Sequence, residues 1–404
     1  MQERLKALID KVHGYEVRLE EMEFTVHFRD REREIEMLFT DVLGSRGISL
    51  IYGPRGAGKS TLAEVIVRGA NELVEINRNY AFVHLHLDEG IIKELKIQIP
   101  NLSDDVINQL KNVFNLDINL GPIGFSIKLG NAIYVLAEVV KRYGLDDRMI
   151  VVFLDDVDKY VKRLGYDVLE AVANAIPDII RREGVKMHVV FMVSDQVAAD
   201  VVNKVGPKGG LTPYLLWNLP RRAFEEVINE ISEKTGVEYV DTDLLWNLLG
   251  GNVRELEKLV SRYRWDVKTW LQDEVINFIR DVLKANIDLR TFKDVNEVLE
   301  AIIEKGRVAA RDYGLGEFTG QPDAIEGAAK FLENNVMIKT RMRGIKYLSE
   351  LPREPWVGSD FAYQIPAYYW VLRAMIEQGR VGVSVNDILR TINTSANASR
   401  GNSL

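Results

Sequence analysis

Two stretches of this chain carry residues whose types and spacing suit phosphate chemistry. The first, Gly53-Pro54-Arg55-Gly56-Ala57-Gly58-Lys59-Ser60-Thr61, fits the pattern G-x-x-x-x-G-K-[ST]. Its glycines let the backbone turn and bring N–H groups onto a phosphate chain. Lys59 has the reach to meet the β- and γ-phosphates, and Ser60 offers a hydroxyl to Mg²⁺. The second stretch is Asp155-Asp156, which ends the apolar run Met149 to Leu154. Beside such a loop the leading carboxylate binds Mg²⁺, and the following one is placed to orient or activate an attacking water. A pair of loop-starting acids is the simpler alternative. It does not explain why the most apolar strand of the chain ends in both.

Weaker candidates lie nearby. Ser194 follows the apolar run Met187 to Val193 and is a candidate contact for the γ-phosphate or the water. His84 and His86 share one face of the strand Tyr80 to Leu87. With five histidines and no cysteine in the chain, they read as packed or surface histidines rather than a metal pair. Asp88, at that strand's C-terminal end, is a second-rank candidate for the crevice of an open sheet. Arg221 and Arg222 read as lid-surface arginines, with an arginine finger across a subunit interface as the alternative.

The elements needed to position these residues are legible as hydrophobic periods. Ile48 to Ile51 is a strand before the glycine loop, and Leu62, Val65, Ile66 and Val67 begin a helix after it. Residues 1–24 read as a helix on the spacing of Leu5, Leu8, Ile9 and Val12. Phe28 to Leu38 reads as a short, solvated helix laced with ion pairs. Ser103 to Phe114 is a helix. A hairpin, Asp117–Leu120 against Phe125–Leu129, is expected around Gly121-Pro122 as an insertion over 115–130. Asn131 to Tyr143 and Leu169 to Arg182 are helices, and Tyr214 to Leu219 a last short strand. This alternation predicts an α/β sheet of mostly parallel strands. Arg221 to Tyr263 is helical throughout and reads as a lid broken at Gly250-Gly251-Asn252. Beyond Trp265 the helices Val267–Ile287, Val295–Tyr313, Ala324–Asn335 and Ala367–Gln378, with strands Val336–Thr340 and Phe361–Ile365, suit a winged helix-turn-helix. The divisions expected are 1–24, 25–219, 220–265, 266–380 and a flexible tail over 381–404.

Composition limits the function classes. The chain has 404 residues, 47% hydrophobic and 28% charged, which suits two or three globular domains. The absence of cysteine excludes disulfides and cysteine-ligated zinc. No uninterrupted apolar run of about 18 residues exists, so no membrane span is expected, and with no secretion-type N-terminus the expected location is cytoplasmic. A net charge of −8 argues against a uniformly basic nucleic-acid binder. Residues from Val267 onward hold 18 Lys+Arg and 18 Asp+Glu and are neutral. Within them Lys339, Arg341, Arg343 and Lys346 form a local basic cluster that would suit a DNA backbone, or simply a solvated turn.

Together these residues resemble a family. Phe28-x-x-Arg31-Glu32-x-Glu34-Ile35-x-x-Leu38, Tyr52-Gly53-Pro54-Arg55-x-x-Gly58-Lys59-Ser60, Leu154-Asp155-Asp156 and Gly250-Gly251-Asn252-Val253-Arg254-x-Leu256 resemble the archaeal ATPase family, STAND-type and AAA-like P-loop ATPases related to archaeal origin-recognition ATPases. The resemblance covers about residues 25–265. It implies an ASCE-type sheet with helices on both faces, a helical lid and a winged-helix-like C-terminal domain. It also implies ATP or ADP with Mg²⁺ as ligands, and Arg254 as the lid arginine facing the γ-phosphate. The chain departs from the family pattern at Val253, where proline is usual, and at Asp156, where many members carry glutamate. The expected activity is Mg²⁺-dependent ATP hydrolysis driving a conformational switch. The alternatives are a DNA-binding initiator-like protein and a signalling scaffold with little turnover. A homo-oligomer is an expected form.

Overall fold

The computed structural model describes residues 2–42, 45–88, 91–98, 121–144, 147–157, 167–194, 211–285, 331–358 (except 333) and 360–401, with isolated positions between them. The expected helices Ser103–Phe114 and Val295–Tyr313, and most of Ala324–Asn335, lie outside the described residues, as does Asp117–Leu120.

The strands are β1 Glu16–Arg18, β2 Thr25–His27, β3 Gly47–Gly53, β4 Tyr80–Asp88, β5 Ile91–Gln98, β6 Met149–Asp155, β7 Lys186–Ser194, β8 Thr212–Leu215, β9 Met337–Lys339, β10 Lys346–Tyr347 and β11 Phe361–Tyr363. The helices are α1 Gln2–His13, α2 Glu32–Met37, α3 Lys59–Glu72, α4 Val74–Asn77, α5 Gly121–Arg142, α6 Asp167–Glu183, α7 Arg221–Thr235, α8 Thr242–Leu249, α9 Val253–Ser261, α10 Val267–Trp270, α11 Asn277–Ala285, α12 Pro366–Gln378 and α13 Val385–Gly401.

Seven strands form the main sheet in the order β10-β8-β3-β7-β6-β4-β5. The pairings are parallel except β4 with β5. The central strands are apolar on both faces because helices cover both. Ile150, Val152 and Leu154 of β6 pack into one layer with α5 and α6. Val151 and Phe153 pack into the other, with α1 and α3. Each large apolar side chain buried here is worth about 1.5–3 kcal/mol. Strand β7 lies between β3 and β6, so the glycine loop, Ser194 and Asp155 all emerge at one edge of adjacent parallel strands. The sequence-based α/β expectation therefore holds, with two strands added that the sequence reading does not assign: β5 at one edge of the sheet and the two-residue β10 at the other.

Several boundaries differ from expectation. The first helix ends at His13, and residues 16–27 form the β1–β2 hairpin instead of continuing it. Gly14 and the β-branched and aromatic residues around it end the apolar helical spacing. Phe125–Leu129 belongs to α5, so the expected insertion hairpin is not formed. Gly121-Pro122 opens that helix, where proline's missing N–H costs nothing, rather than closing a turn. The flexible tail is also corrected. Residues 385–401 are helical, and Ile388, Thr391 and Ile392 are buried.

The boundary at residue 265 is not a gap in packing. Phe224, Trp246 and Leu256 of the lid share one core with Trp270, Trp356 and Trp370 beyond it. Farther on, β10 joins the main sheet beside β8, and the antiparallel pair β9–β11 packs beside the lid.

Candidate nucleotide site

The glycine loop connects the end of β3 to the N-terminus of α3, so its N–H groups and the helix dipole converge. Lys59 Nζ donates to the carbonyls of Gly53 at 2.9 Å and Pro54 at 3.1 Å, which holds the ammonium over the loop. Gly56 has φ of +86°, and a Cβ there would meet Asn252 Oδ1 and Arg254 Cβ at 2.5 Å. The loop and the start of α9 are therefore in direct contact.

The acidic side of the site is built by β6. Asp155 is 1% exposed, and its Oδ1 accepts the N–H of Asp156 at 2.9 Å. Its Oδ2 lies 3.3 Å from His86 Nδ1 and 3.5 Å from His84 Nε2. Burial opposes ionisation of Asp155, but the neighbouring His84 and His86 imidazoles and the Ser60 hydroxyl outweigh it and hold the carboxyl well below its usual range. An ionised carboxylate in contact with a serine hydroxyl is a hard oxygen donor set, and it suits Mg²⁺. Asp156 takes a left-handed backbone, φ +56°, which is uncommon outside glycine and turns its side chain out of the strand. Its Oδ2 is 3.6 Å from His86 Nε2. One imidazole thus lies between the two carboxylates.

Ser60, beside Lys59 at the start of α3, reaches the Asp155 carboxylate, and Asp156 follows Asp155 at the end of β6. Ser194 ends β7, paired in register with Gly53. Arg254 stands in the first turn of α9, exposed, against the loop. Arg221 bonds Glu225 and Asp243, and Arg222 lies 3.3 Å from Glu226, so both pair with carboxylates of the lid. In the basic cluster, Lys346 donates to Asp41 at 2.9 Å and Arg341 lies 3.7 Å from Asp360.

Sequence reasoning missed four features. His84 and His86 were read as packed or surface histidines. They are next to the Asp155 carboxylate because β4 pairs with β6 in register His86 to Asp155. Arg31 was read as part of a solvated helix, yet it is 3% exposed with φ +80°. Its guanidinium donates to Glu34 at 2.8 Å, Ser349 at 3.1 Å, and the carbonyls of Ala57 and Trp217, both at 2.8 Å. Asn218 and Gln364 were not singled out, although both are buried beside the loop. Only Arg31 carried a sequence signal, the family resemblance itself.

A family profile described as an ATPase domain found predominantly in Archaea matches residues 28–259. The chain belongs to this family. The matched span contains the loop, both aspartates and Arg254. A comparison with curated proteins gives no significant match. Among solved structures, the chain is similar to the Aeropyrum pernix ORC2 protein in its ADP form, at 12% identity and a TM-score of 0.39, covering 87% of this chain and 93% of that one. It is also similar to the Aeropyrum pernix ORC1 protein in complex with DNA, at 14% identity and a TM-score of 0.36, covering 78% and 87%. A third similar structure is the replication initiator DnaA bound to AMPPCP and single-stranded DNA, at 14% identity and a TM-score of 0.33, covering 81% and 92%. Among the described residues no helix is long and apolar enough to cross a membrane.

Proposed function

We propose that this protein binds and hydrolyses ATP with Mg²⁺ and uses the nucleotide to switch the arrangement of its lid and winged-helix-like C-terminal region. The observation that carries the reading is the convergence of Lys59, Ser60, Asp155 and Asp156 at the edge of β3 and β6, with Arg254 of the lid against the same loop. Residues 53–61 would hold the phosphate chain through their N–H groups, and Lys59 would meet its outer phosphates. Mg²⁺, when bound to Ser60 and Asp155, neutralises charge on the phosphates. Asp156 orients the attacking water, with His86 positioning its carboxylate. Ser194, at the end of β7, is the candidate contact for the γ-phosphate or the attacking water. Arg254, contacting the γ-phosphate, supplies the differential affinity for ATP over ADP that a two-state lid requires.

Calorimetry and phosphate release, run on the same two variants, test the reading. Lys59→Ala removes the cation dedicated to the outer phosphates and should nearly abolish ATP affinity. Asp156→Asn should keep ATP affinity and lower turnover by about a hundredfold or more. Normal hydrolysis in both variants would overturn the assignment.

A further inference from the structure

The crest of the glycine loop is gripped from both sides of one residue. The backbone N–H of Arg55 donates to Gln364 Oε1 at 3.0 Å, and its carbonyl accepts from Asn252 Nδ2 at 2.7 Å. Asn252 Nδ2 also donates to Asn218 Oδ1 at 3.2 Å, and Asn218 Nδ2 donates to the carbonyl of Gln364 at 3.0 Å. The four residues close a ring of hydrogen bonds. They come from the glycine loop, the segment after β8, the N-cap of α9, and the residue after β11. Asn218, Asn252 and Gln364 are each less than 5% exposed, so water does not compete for these bonds. Gln364 is fixed in turn, because its N–H donates to Val336 at 3.0 Å, at the start of the β9–β11 pair.

This ring gives the loop a second route to the rest of the chain, separate from Arg254. Asn252 is in the lid, whereas Gln364 is in the C-terminal region and acts on the loop's main chain, not on a ligand. We propose that Gln364 is a positioning residue that ties the conformation of the glycine loop to the β9–β11 strand pair. Nucleotide in the loop thereby orders those strands directly. The inference rests on the reading that this loop binds nucleotide.

The side chain's role is separable from its volume. Gln364→Glu keeps an oxygen acceptor at the same reach, and Gln364→Leu keeps the size without the acceptor. The full-length protein and both variants are compared by hydrogen exchange at 336–340 and 361–363, with and without ATP, alongside ATP calorimetry. ATP should slow exchange there by about two- to tenfold in wild type, the worth of one hydrogen bond. Gln364→Glu should retain that protection. Gln364→Leu should lose it while its exchange without nucleotide stays like wild type. Gln364→Ala serves in its place if the leucine variant does not fold. Equal ATP-induced protection in Gln364→Leu and wild type would overturn the proposal. So would ATP binding to wild type with no protection of these strands. Absence of ATP binding to wild type would overturn both this proposal and the nucleotide reading beneath it.

Discussion

Arg31 ties the segment before α2 to the glycine loop, to Trp217 and to Ser349. A guanidinium buried this deeply is stable only if its donors are filled, and here Glu34, Ser349, Ala57 and Trp217 fill them. Ser349 Oγ in turn donates to Glu34 at 2.7 Å and accepts from the Trp217 N–H at 3.0 Å. Removing Arg31 leaves the Glu34 carboxylate buried without its cation. Arg31→Ala should therefore cost about 3–5 kcal/mol in chemical unfolding. The double variant Arg31→Ala with Glu34→Ala should cost much less than the sum of the two single changes. Additive losses would mean the ion pair is not what holds this network. The segment Phe28 to Leu38 reads in sequence as solvated because six of its eleven residues are Arg or Glu. Charge density alone cannot distinguish a salt-laced surface from a buried anchor whose partner is at position 349.

At the scale of elements, two contacts tie the lid to the glycine loop and to the N-terminal hairpin. The first is its approach to the glycine loop. Any Cβ at Gly56 meets Asn252 and Arg254, and the backbone there is left-handed as well. Gly56→Ala should leave the fold intact and weaken ATP binding about tenfold, measured by calorimetry. Unchanged affinity would mean that the lid can be displaced from the loop without cost. The sequence carried this contact only in part. Gly250-Gly251-Asn252 announced a break, and the structure explains it: a Cβ on Gly251 would lie 2.0 Å from the Leu219 carbonyl.

The second contact is the β1–β2 hairpin, which straps the lid from the N-terminal side. Glu230 of α7 receives bonds from Lys234, Arg29 and His27. Burial works against its ionisation, but these bonds outweigh it and lower its pKa to about 2. A depressed carboxylate stabilises the fold above its ordinary range and loses that contribution as pH falls. The strap should therefore be fully effective near pH 6 and weaken between about pH 4.5 and 2. Glu230→Gln should flatten that part of the pH–stability curve. A curve unchanged by the substitution would place the acid sensitivity elsewhere. No period in residues 1–24 announces the hairpin, because three-residue strands are too short to display one.

On the scale of the whole molecule, the local motifs were legible and the long-range weave was not. The glycine loop, the acid-tipped strand and the parallel sheet follow from contiguous residues. The union of lid and C-terminal region does not, since it joins residues more than a hundred positions apart. Its centre is a run of rings: Phe224–Trp246 at 6.4 Å, Trp246–Trp356 at 6.3 Å and Trp356–Trp370 at 6.3 Å. Polar bonds flank it, Trp246 Nε1 to Glu354 at 3.1 Å and Trp370 Nε1 to the Asn247 carbonyl at 2.9 Å. Trp356 touches a lid ring on one side and a C-terminal ring on the other. Trp356→Ala should therefore cost about 3–5 kcal/mol. Its distribution matters more than its size. If lid and C-terminal region share one core, hydrogen exchange should quicken together in α8 and α12, while the central strands β3, β6 and β7 keep their protection. Faster exchange in α12 alone would mean that the two halves open independently. A lid movement set by nucleotide would then stop at residue 265 and not reach the C-terminal region through this core.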